Sequence, residues 1–481
     1  MPLIVYNYKY ILIFFCIQKN FEMLDQKLKN FVSWESTGFK NLKFELSDSV
    51  HIPNKLEHYI IDKKNHLFID QTKPSWISCN EFTSDAVQFF QQEQGSIKNA
   101  IRLLIAKWGI SEQKARNEIE TLLTNLADSE FLETNIKFDT NNQLTTLHLY
   151  ITEKCNLQCK HCYMGSGPNS TKGLSRQQLK DIITCFSSIH KNSKVTFTGG
   201  EPFIRKSTLF YLAELAHCKG LTTNLITNGT LISKNDIDKI NNLFDSVKIS
   251  IDGPTQEIHE YLRGKGSFIP AVNSLILLDE TNIDKTLGMT LPPEYIEDVE
   301  NKIESFIKSL SLKNKLYVSL SMEILTTGRG ASFKKNDKAM KKDAERRLLR
   351  VIDNLWERGW VRDINTPMFR KLNNCGIGRN ISIRADGSIM PCALPYINIG
   401  NIHNHSLQFI SDNLEQIRID TSVDNIPECS GCPIRYICLG GCRMENLKKR
   451  GSYTNTGCTE KIRKNKIKEL MYRPSLSMRD I

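Results

Sequence analysis

Short apolar runs alternate with helical stretches through the middle of the chain, from Leu144 to about Leu325. Such alternation predicts an α/β fold whose parallel strands are joined by right-handed crossovers. Barrels of parallel strands carry their chemistry at the carboxyl ends of the strands. We therefore expect functional residues directly after each run. The six β-rich runs are LHLYIT, VTFTG, TTNLIT, VKISID, KTLGMTL and YVSLSMEIL.

The segment from residue 51 to 137 has another pattern. Three short β-rich pieces, HYIID, LFID and SWISC, come before three helical patterns and the run FLETNIKF. Ser111 is a plausible N-cap, but Lys114 stands where a capping box needs Glu or Gln. Three strands, three helices and a wing predict a winged-helix domain. The helices are expected at Glu81 to Gln92, Ser96 to Trp108 and Ser111 to Ala127.

Composition is that of an ordinary globular protein of several domains: 481 residues, 40% hydrophobic and 24% charged. The net charge of +11 comes largely from residues 333–350 and from KIRKNKIKEL, near the end of the chain. Both runs are typical of solvated helices, and no aromatic platform accompanies them, so nucleic acid is an unlikely partner.

Residues 1–50 form a lead that we set apart from the fold. Its apolar run from Ile11 to Ile17 is too short to span a bilayer, and no small-residue cleavage site follows. We therefore expect no membrane association. A start at Met23 would make the first part of the lead non-native.

Three cysteines follow the first predicted strand, at Cys155, Cys159 and Cys162. A four-iron cluster takes four thiolates, so this C-x3-C-x2-C loop would leave one iron open to another ligand. The alternative is a zinc site closed by His161.

Further chemistry-bearing residues stand at the ends of the next runs. Glycine allows a ligand to approach the backbone closely, which favours a binding role for the Gly-Gly pair after VTFT. These residues are Gly199, Gly200, Glu201 and Pro202, then Asn228 in LITNGT, then Ser250 and Asp252 in VKISIDG.

The cysteine triplet and the GGEP motif together resemble the radical S-adenosylmethionine (SAM) enzymes. This resemblance implies a partial (β/α)6 barrel over residues 144–360, open on one side, with SAM chelated by the open iron. It further implies that Glu201 holds the methionine amino group and that His161 lies near the adenine. Ser250 would face the ribose or carboxylate, or simply end its strand. Arg263 would pair with the carboxylate, or be a surface arginine, and Asn228 would shape a turn.

A second cysteine system follows, in the pattern C-x11-G-x4-C, then C-x2-C-x5-C-x3-C, then C. It resembles the SPASM domain, here residues 370–465, which carries two auxiliary clusters; a zinc-ribbon-like domain is the alternative. Residues 466–481 would form a basic tail. The resemblance assigns Cys429, Cys432, Cys438 and Cys458 to a closed outer cluster. It assigns Cys375, Cys392 and Cys442 to an inner cluster, whose fourth ligand is a substrate thiolate or a group outside the pattern.

The remaining cysteines, Cys16, Cys79, Cys185 and Cys218, are expected to be buried or incidental thiols. A disulfide framework does not suit a reduced, iron-bearing chain. The predicted location is the cytoplasm.

The winged-helix pattern is similar to the PqqD-like domain, which recognises precursor peptides by adding a leader as an extra strand. The whole arrangement resembles the subtilosin-type sactipeptide synthases. It implies a radical SAM oxidoreductase with three [4Fe-4S] clusters, which joins a cysteine sulfur of a ribosomally made precursor to carbon, with residues 51–137 binding the leader. Flavodoxin or ferredoxin would supply the electron. The alternatives are carbon-carbon crosslinking, epimerisation, sulfatase maturation and, less favoured, RNA modification.

Overall fold

The computed structural model describes residues 33–35, 43–62, 64–93, 95–129, 131–132, 145–171, 173–190, 192–333, 338–361, 372–394 and 397–471. Contacts between residues divide the chain into two compact units. The first unit comprises the described residues up to 140, those within 367–375 and those from 422 onward. The second comprises the described residues within 141–366 and 376–421.

The second unit contains the predicted run of parallel strands. They are β6 (Thr146–Tyr150), β7 (Lys194–Thr198), β8 (Thr222–Thr227), β9 (Ser246–Ser250), β10 (Asp284–Thr290) and β11 (Leu316–Ser321). They lie side by side in chain order, each parallel to the next. The sheet stays open, because β11 is its edge. The predicted six-stranded α/β architecture is confirmed.

Helices connect these strands and cover one face of the sheet. They are α4 (Arg176–Ile189), α5 (Lys206–Cys218), α6 (Ile237–Leu243), α7 (Gln256–Arg263), α8 (Phe268–Leu278), α9 (Ile296–Ser309) and α10 (Lys338–Glu357). Helix α4 shows why they form: Ser175 and Gln178 make a reciprocal capping box at its start. Its Leu179, Ile182, Ile183 and Phe186 recur at helical spacing and enter the core.

Strand β12 (Asn380–Ile383) extends this sheet beyond β6, to which it is parallel, and β13 (Ser388–Met390) and β14 (Gly400–Asn401) follow antiparallel. The extension was not predicted, because its residues are separated from β6 by more than 200 positions of chain. Helix α11 (Leu407–Asp420) follows it. Strands between Cys375 and Cys429 of the second cysteine system thus belong to the barrel sheet.

The first unit contains the predicted three strands and three helices. The strands are β3 (Leu56–Ile60), β4 (His66–Asp70) and β5 (Trp76–Cys79), all antiparallel. The helices are α1 (Glu81–Glu93), α2 (Ile97–Trp108) and α3 (Glu112–Asp128), and Ser111 caps α3 as expected. The wing predicted from FLETNIKF lies almost wholly outside the described residues, so the winged-helix assignment stays a prediction.

Both faces of the β3–β5 sheet carry buried side chains, because successive residues of a strand point to opposite faces. Phe68 and Ile77 pack against α1, α2 and α3, whereas Leu67, Ile69 and Trp76 point to the opposite side. There they contact the segment 432–471, in which α15 (Glu460–Leu470) buries Ile467 and Leu470. The Trp76 indole donates to the carbonyl of Leu470 at 3.2 Å.

This packing changes two predicted boundaries. The tail boundary at residue 466 falls inside α15, whose apolar face belongs to the core of the first unit. Leu46 and Val50, placed in the lead, are buried beside α1 and α2, so the folded region begins before residue 51. Strands β1 (Ser33–Glu35) and β2 (Lys43–Glu45) pair antiparallel ahead of it. The run Ile11 to Ile17 lies outside the described residues.

Among the described residues, no helix is both long enough and apolar enough to cross a bilayer. The thirteen described cysteines are all free thiols. Cys185 and Cys218 lie in helices, as predicted, and Cys218 is exposed rather than buried. Cys16 lies outside the described residues.

Candidate active site

The loop after β6 carries the first three cysteines at the carboxyl edge of the sheet. Cys155 and Cys159 are buried, Cys162 is half-buried, and the three thiols are electrostatic neighbours. Burial is the main cause that raises the pKa of Cys155 to about 11. Burial disfavours the thiolate form of these neighbouring cysteines. A metal cluster deprotonates the thiols that bind it, so a buried group of thiols suits a cluster.

Arg329 holds this loop in shape, and none of the predicted motifs includes it. Its guanidinium donates to the carbonyls of Cys159 at 2.8 Å, Gly165 at 3.0 Å and Ser166 at 2.6 Å. The preceding Gly328 has no space for a side chain, since an added Cβ would lie 2.5 Å from the carbonyl oxygen of Cys162. The Gly-Arg-Gly segment after β11 is the signal that would have found this clamp.

Replacing Arg329 with Lys is expected to lower the iron content of the reconstituted protein and destabilise the loop. Lysine keeps the charge but loses the planar fork that reaches three carbonyls, and hydrogen bonds to charged groups contribute about 1.5–3 kcal/mol each. Iron and sulfide per chain give the measurement. Arg346→Lys is the control, because the Arg346 side chain is 68% exposed and far less engaged. Equal iron in both variants would show that Arg329 does not hold the loop.

The Gly-Gly pair of GGEP packs against the cysteine loop. A Cβ at Gly199 would lie 2.4 Å from the carbonyl oxygen of Thr152, and one at Gly200 would lie 2.3 Å from that of Lys154. Gly199 also has φ of 146°, which favours glycine. Backbone hydrogen bonds run from Gly200 to Thr152 and from Glu201 to Lys154. The glycines were expected to admit a ligand, but the atoms closest to them belong to the protein.

Glu201 is fully buried and ties the ends of two strands together. Its carboxylate accepts from the hydroxyl of Thr227 at 2.7 Å and from the backbone N–H groups of Asn228 and Phe203. Burial raises the pKa of Glu201 in spite of these bonds. The carboxylate is thus fixed in position beside the thiol loop, and Pro202 begins the 3-10 helix that follows it.

Asn228 shapes the turn after β8, as predicted, and also reaches the cysteine loop. Its side-chain oxygen accepts from the N–H and hydroxyl of Thr230. Its amide donates to the side chain of Asn156 at 3.0 Å and points to Cys155 Sγ at 3.9 Å.

Asp252 joins the thiol loop to α7. It receives Nε2 of His161 at 3.1 Å and Nε of Arg263 at 2.5 Å, while its other oxygen accepts from the N–H of Thr290. Burial alone would raise the pKa of Asp252, but the charges of Arg263 and His161 outweigh it and hold that pKa well below its usual range. Arg263 is only 13% exposed, so it is not a surface arginine.

The environment of His161 and Ser250 bears on cofactor binding. The Nδ1 atom of His161 is buried and has no hydrogen-bond partner among the described residues. A buried orphan of this kind is commonly satisfied by a bound group. Ser250 is the last residue of β9, at the same edge. The predicted residues of the second unit therefore converge around one loop.

The C-terminal cysteines gather in the first unit. Cys429 lies in α12 (Pro427–Ser430), Cys438 ends α13 (Arg435–Cys438), and Cys429 is an electrostatic neighbour of Cys432, Cys438 and Cys458. Burial is the main cause that raises the pKa of Cys429 to about 11. Four neighbouring thiols of one unit match in number the ligands of a closed four-thiolate cluster.

The three cysteines assigned to the inner cluster are divided between the two units. Cys375 and Cys442 are electrostatic neighbours in the first unit, and Cys442 precedes α14 (Arg443–Arg450). Cys392 lies in the second unit just after β13, half-buried. The predicted joint ligation by all three stays a prediction.

Family models match both cysteine systems. The model of the radical SAM superfamily matches residues 149–306, and the SPASM model, an iron-sulfur cluster-binding domain, matches residues 375–433. The protein is a radical SAM enzyme with a SPASM domain. The radical SAM match includes the thiol triplet after β6, which we assign to the cluster that binds SAM. The SPASM domain binds auxiliary clusters, as expected. The SPASM match ends before Cys438, Cys442 and Cys458, so their roles rest on spacing and geometry.

Curated relatives of this radical SAM/SPASM enzyme include proteins of peptide and of haem biosynthesis. The sporulation killing factor maturation protein SkfB of Bacillus subtilis is 27% identical over 59% of this chain and 68% of its own. The antilisterial bacteriocin subtilosin biosynthesis protein AlbA of the same organism is 25% identical over 64% of this chain and 69% of its own. The AdoMet-dependent heme synthase of Oleidesulfovibrio alaskensis is 27% identical over 63% of this chain and 83% of its own.

A solved structure shares the fold. The native anSMEcpe structure with bound AdoMet and Cp18Cys peptide aligns with a TM-score of 0.51 and 20% identity. The alignment covers 69% of this chain and 99% of that one. At this identity the likeness supports the radical SAM fold alone.

Proposed function

We propose that this radical SAM/SPASM enzyme modifies a ribosomally made precursor peptide by joining a cysteine sulfur to a carbon of the same peptide. The names of SkfB and AlbA, a maturation protein and a bacteriocin biosynthesis protein, support a peptide substrate. The observation that carries the proposal is the combination of both cysteine systems with the three-stranded sheet of the first unit. That sheet has an exposed edge on which a peptide can add as a strand.

Bound SAM and its cluster would supply a 5'-deoxyadenosyl radical, with one electron from flavodoxin or ferredoxin as the proposed donor. The residues around them bind and orient. Cys155, Cys159 and Cys162 hold the cluster, and Arg329 fixes their loop. Glu201 and the GGEP backbone position the methionine end of SAM. The remainder of SAM would be positioned by His161, Ser250 and the Asp252–Arg263 pair. The Nδ1 atom of His161, which has no partner among the described residues, can accept a hydrogen bond.

We expect the peptide to lie on the face of the sheet opposite the helices. This face is polar: Lys248 reaches the hydroxyl of Ser319 at 3.1 Å across β10, and Asn224 accepts from Ser246. Lys248 passes over Gly288, where a Cβ would lie 2.2 Å from its Cε. Burial lowers the pKa of Lys248 more than nearby Asp252 raises it. A polar, partly enclosed face suits a peptide backbone better than an apolar pocket would.

The proposed reaction balances as the loss of two hydrogens from the peptide. One leaves as an atom from carbon to the 5'-deoxyadenosyl radical, and one leaves as the thiol proton. One electron passes to an auxiliary cluster as the sulfur-carbon bond forms. The test is the mass of the peptide after coexpression, which should fall by two hydrogens per crosslink.

We further propose that the leader pairs with β3. Within the described residues, β3 pairs with β4 on one side only, and Ile60 at its end is 69% exposed. Deleting residues 51–137 would not test this cleanly, because Leu67, Ile69 and Trp76 share a core with Cys432 and Cys438. A substitution at the exposed edge leaves that core intact.

Ile60→Asp is expected to weaken leader binding at least about tenfold, roughly 1.4 kcal/mol, because it puts a charge on an apolar contact of the edge strand. Fluorescence anisotropy of a labelled leader peptide gives the affinity. Ile269→Asp is the matched control, since Ile269 is 53% exposed on α8 in the other unit. SAM cleavage without peptide should be equal in both. Equal leader affinity in the two variants would place the leader elsewhere.

Haem biosynthesis is a second candidate, because an AdoMet-dependent heme synthase covers as much of this chain as AlbA does. If the enzyme acts in haem biosynthesis, a porphyrin should bind and its visible spectrum should change on binding. SAM cleavage should then depend on porphyrin. Precursor peptide should stimulate SAM cleavage if the proposal is right, and porphyrin should not.

A further inference from the structure

Helix α15 brings a row of cations to the outer cysteines. Arg463, Lys466, Ile467 and Leu470 recur at helical spacing, so they lie on one face of the helix. Ile467 and Leu470 are buried against Trp76, which fixes the rotation of the helix. The two basic residues of this face are half-buried and lie on the side of the helix that meets the core of the first unit.

Lys466 makes the direct contact. Its Nζ lies 2.9 Å from Sγ of Cys438, and Cys458 is a further electrostatic neighbour. Glu469 is the other charged group close to it. Arg463 stands one helical turn earlier, and its charge acts on Cys432. Lys466 thus contacts one of the four outer thiols directly, and the charges of Lys466 and Arg463 act on two more.

A third cation lies near two of the same thiols. Arg443, at the start of α14, is fully buried, and its charged neighbours are Cys375, Cys429, Cys438 and Cys442. Gly440 provides its space, because a Cβ there would lie 2.5 Å from the Arg443 guanidinium. Gly440 also adopts φ of 70°, so a side chain is disfavoured twice.

We propose that Lys466, with Arg443 and Arg463, forms a cationic shell that raises the reduction potential of the outer auxiliary cluster. A four-iron cluster with four thiolates is an anion, and its reduction adds another negative charge. Nearby cations and hydrogen bonds to the sulfurs stabilise the reduced state more than the oxidised state. The shell therefore favours the outer cluster as an electron acceptor.

The inference rests on the assignment of Cys429, Cys432, Cys438 and Cys458 to that cluster, but not on the peptide substrate. Its test needs no peptide, so it can fail while the proposed function stands. The reverse also holds, because a wrong substrate leaves the potential of the cluster unchanged.

The experiment is a redox titration of the full-length, reconstituted protein followed by electron paramagnetic resonance. Cys155, Cys159 and Cys162 are replaced by Ala in every sample, to remove the signal of the SAM cluster. Lys466→Met is compared with Lys464→Met, which removes the same charge two residues away. The Lys464 side chain is 68% exposed and paired with Glu460. Lys466→Arg is the conservative variant.

Lys466→Met is expected to lower the midpoint potential of one auxiliary cluster only. At the potential that half-reduces the parent, the ratio of reduced to oxidised cluster should fall about tenfold, which corresponds to about 59 mV for one electron. Lys464→Met and Lys466→Arg should stay at the parent value. Equal potentials for Lys466→Met and Lys464→Met would overturn the proposal.

Iron content decides the outcome if Lys466→Met cannot hold its cluster. Loss of iron in Lys466→Met with retention in Lys466→Arg would support a requirement for the charge. Loss in both variants would overturn the proposal, because it would mean that the shape of lysine matters and its charge does not.

Discussion

Replacing Cys155, Cys159 and Cys162 together with Ala is expected to reduce 5'-deoxyadenosine formation to the level of an enzyme-free sample. Without these thiolates no cluster is bound after β6, and SAM has no iron to chelate and no electron to receive. Chromatography of the anaerobic reaction with dithionite gives the measurement. Iron content should fall by one cluster and not by three, because the C-terminal thiols are untouched.

The control for this triple variant is Cys185→Ala with Cys218→Ala. Both cysteines lie in helices of the same unit, and we assign neither to a cluster. These substitutions should leave 5'-deoxyadenosine formation close to the parent rate. Continued formation in the triple variant would refute the assignment of the site.

Gly200→Ala is expected to lower SAM cleavage about 100-fold, the scale of a misplacement of about 1 Å in an active site. The new Cβ would lie 2.3 Å from a backbone carbonyl oxygen, which cannot move aside as a flexible side chain can. The GGEP segment must then shift away from the thiol loop and take Glu201 with it. The overpacking should also cost about 1–3 kcal/mol of stability.

Gly173→Ala is the matched control for that variant. A Cβ at Gly173 would meet the Arg205 guanidinium at 3.5 Å, an ordinary contact with a side chain. Thermal unfolding and SAM cleavage should both stay close to the parent values. If Gly200→Ala cleaves SAM as fast as Gly173→Ala, the backbone fit between GGEP and the thiol loop is not required.

The strands of the barrel could be predicted from sequence, because their apolar runs and the residues after them repeat the same local pattern. The placement of Glu201, Asn228 and Asp252 at one edge followed from that pattern. The hydrogen-bond partners that hold the site together could not be predicted from that pattern. Arg329 comes after the sixth strand, and its contacts with the carbonyls of residues 159–166 join positions more than 160 residues apart, which no local pattern reveals.

The packing of the first unit could not be predicted from the sequence either. The alternating side chains of β4 and β5 indicate the two faces of the sheet. No local pattern predicts that one of these faces packs against residues 432–471. The basic composition of KIRKNKIKEL suggested a solvated tail. Its Ile467 and Leu470 instead hold α15 in the core, which places Lys466 against the thiol of Cys438.

The transfer of a hydrogen atom from peptide to SAM-derived product tests the account most directly. A synthetic precursor peptide with deuterium at its α-carbons is incubated with the reconstituted enzyme, SAM and reductant. We predict 5'-deoxyadenosine that carries one deuterium, formed in step with a peptide that loses one deuterium and one proton per crosslink. Unlabelled 5'-deoxyadenosine beside an unchanged peptide would contradict the account.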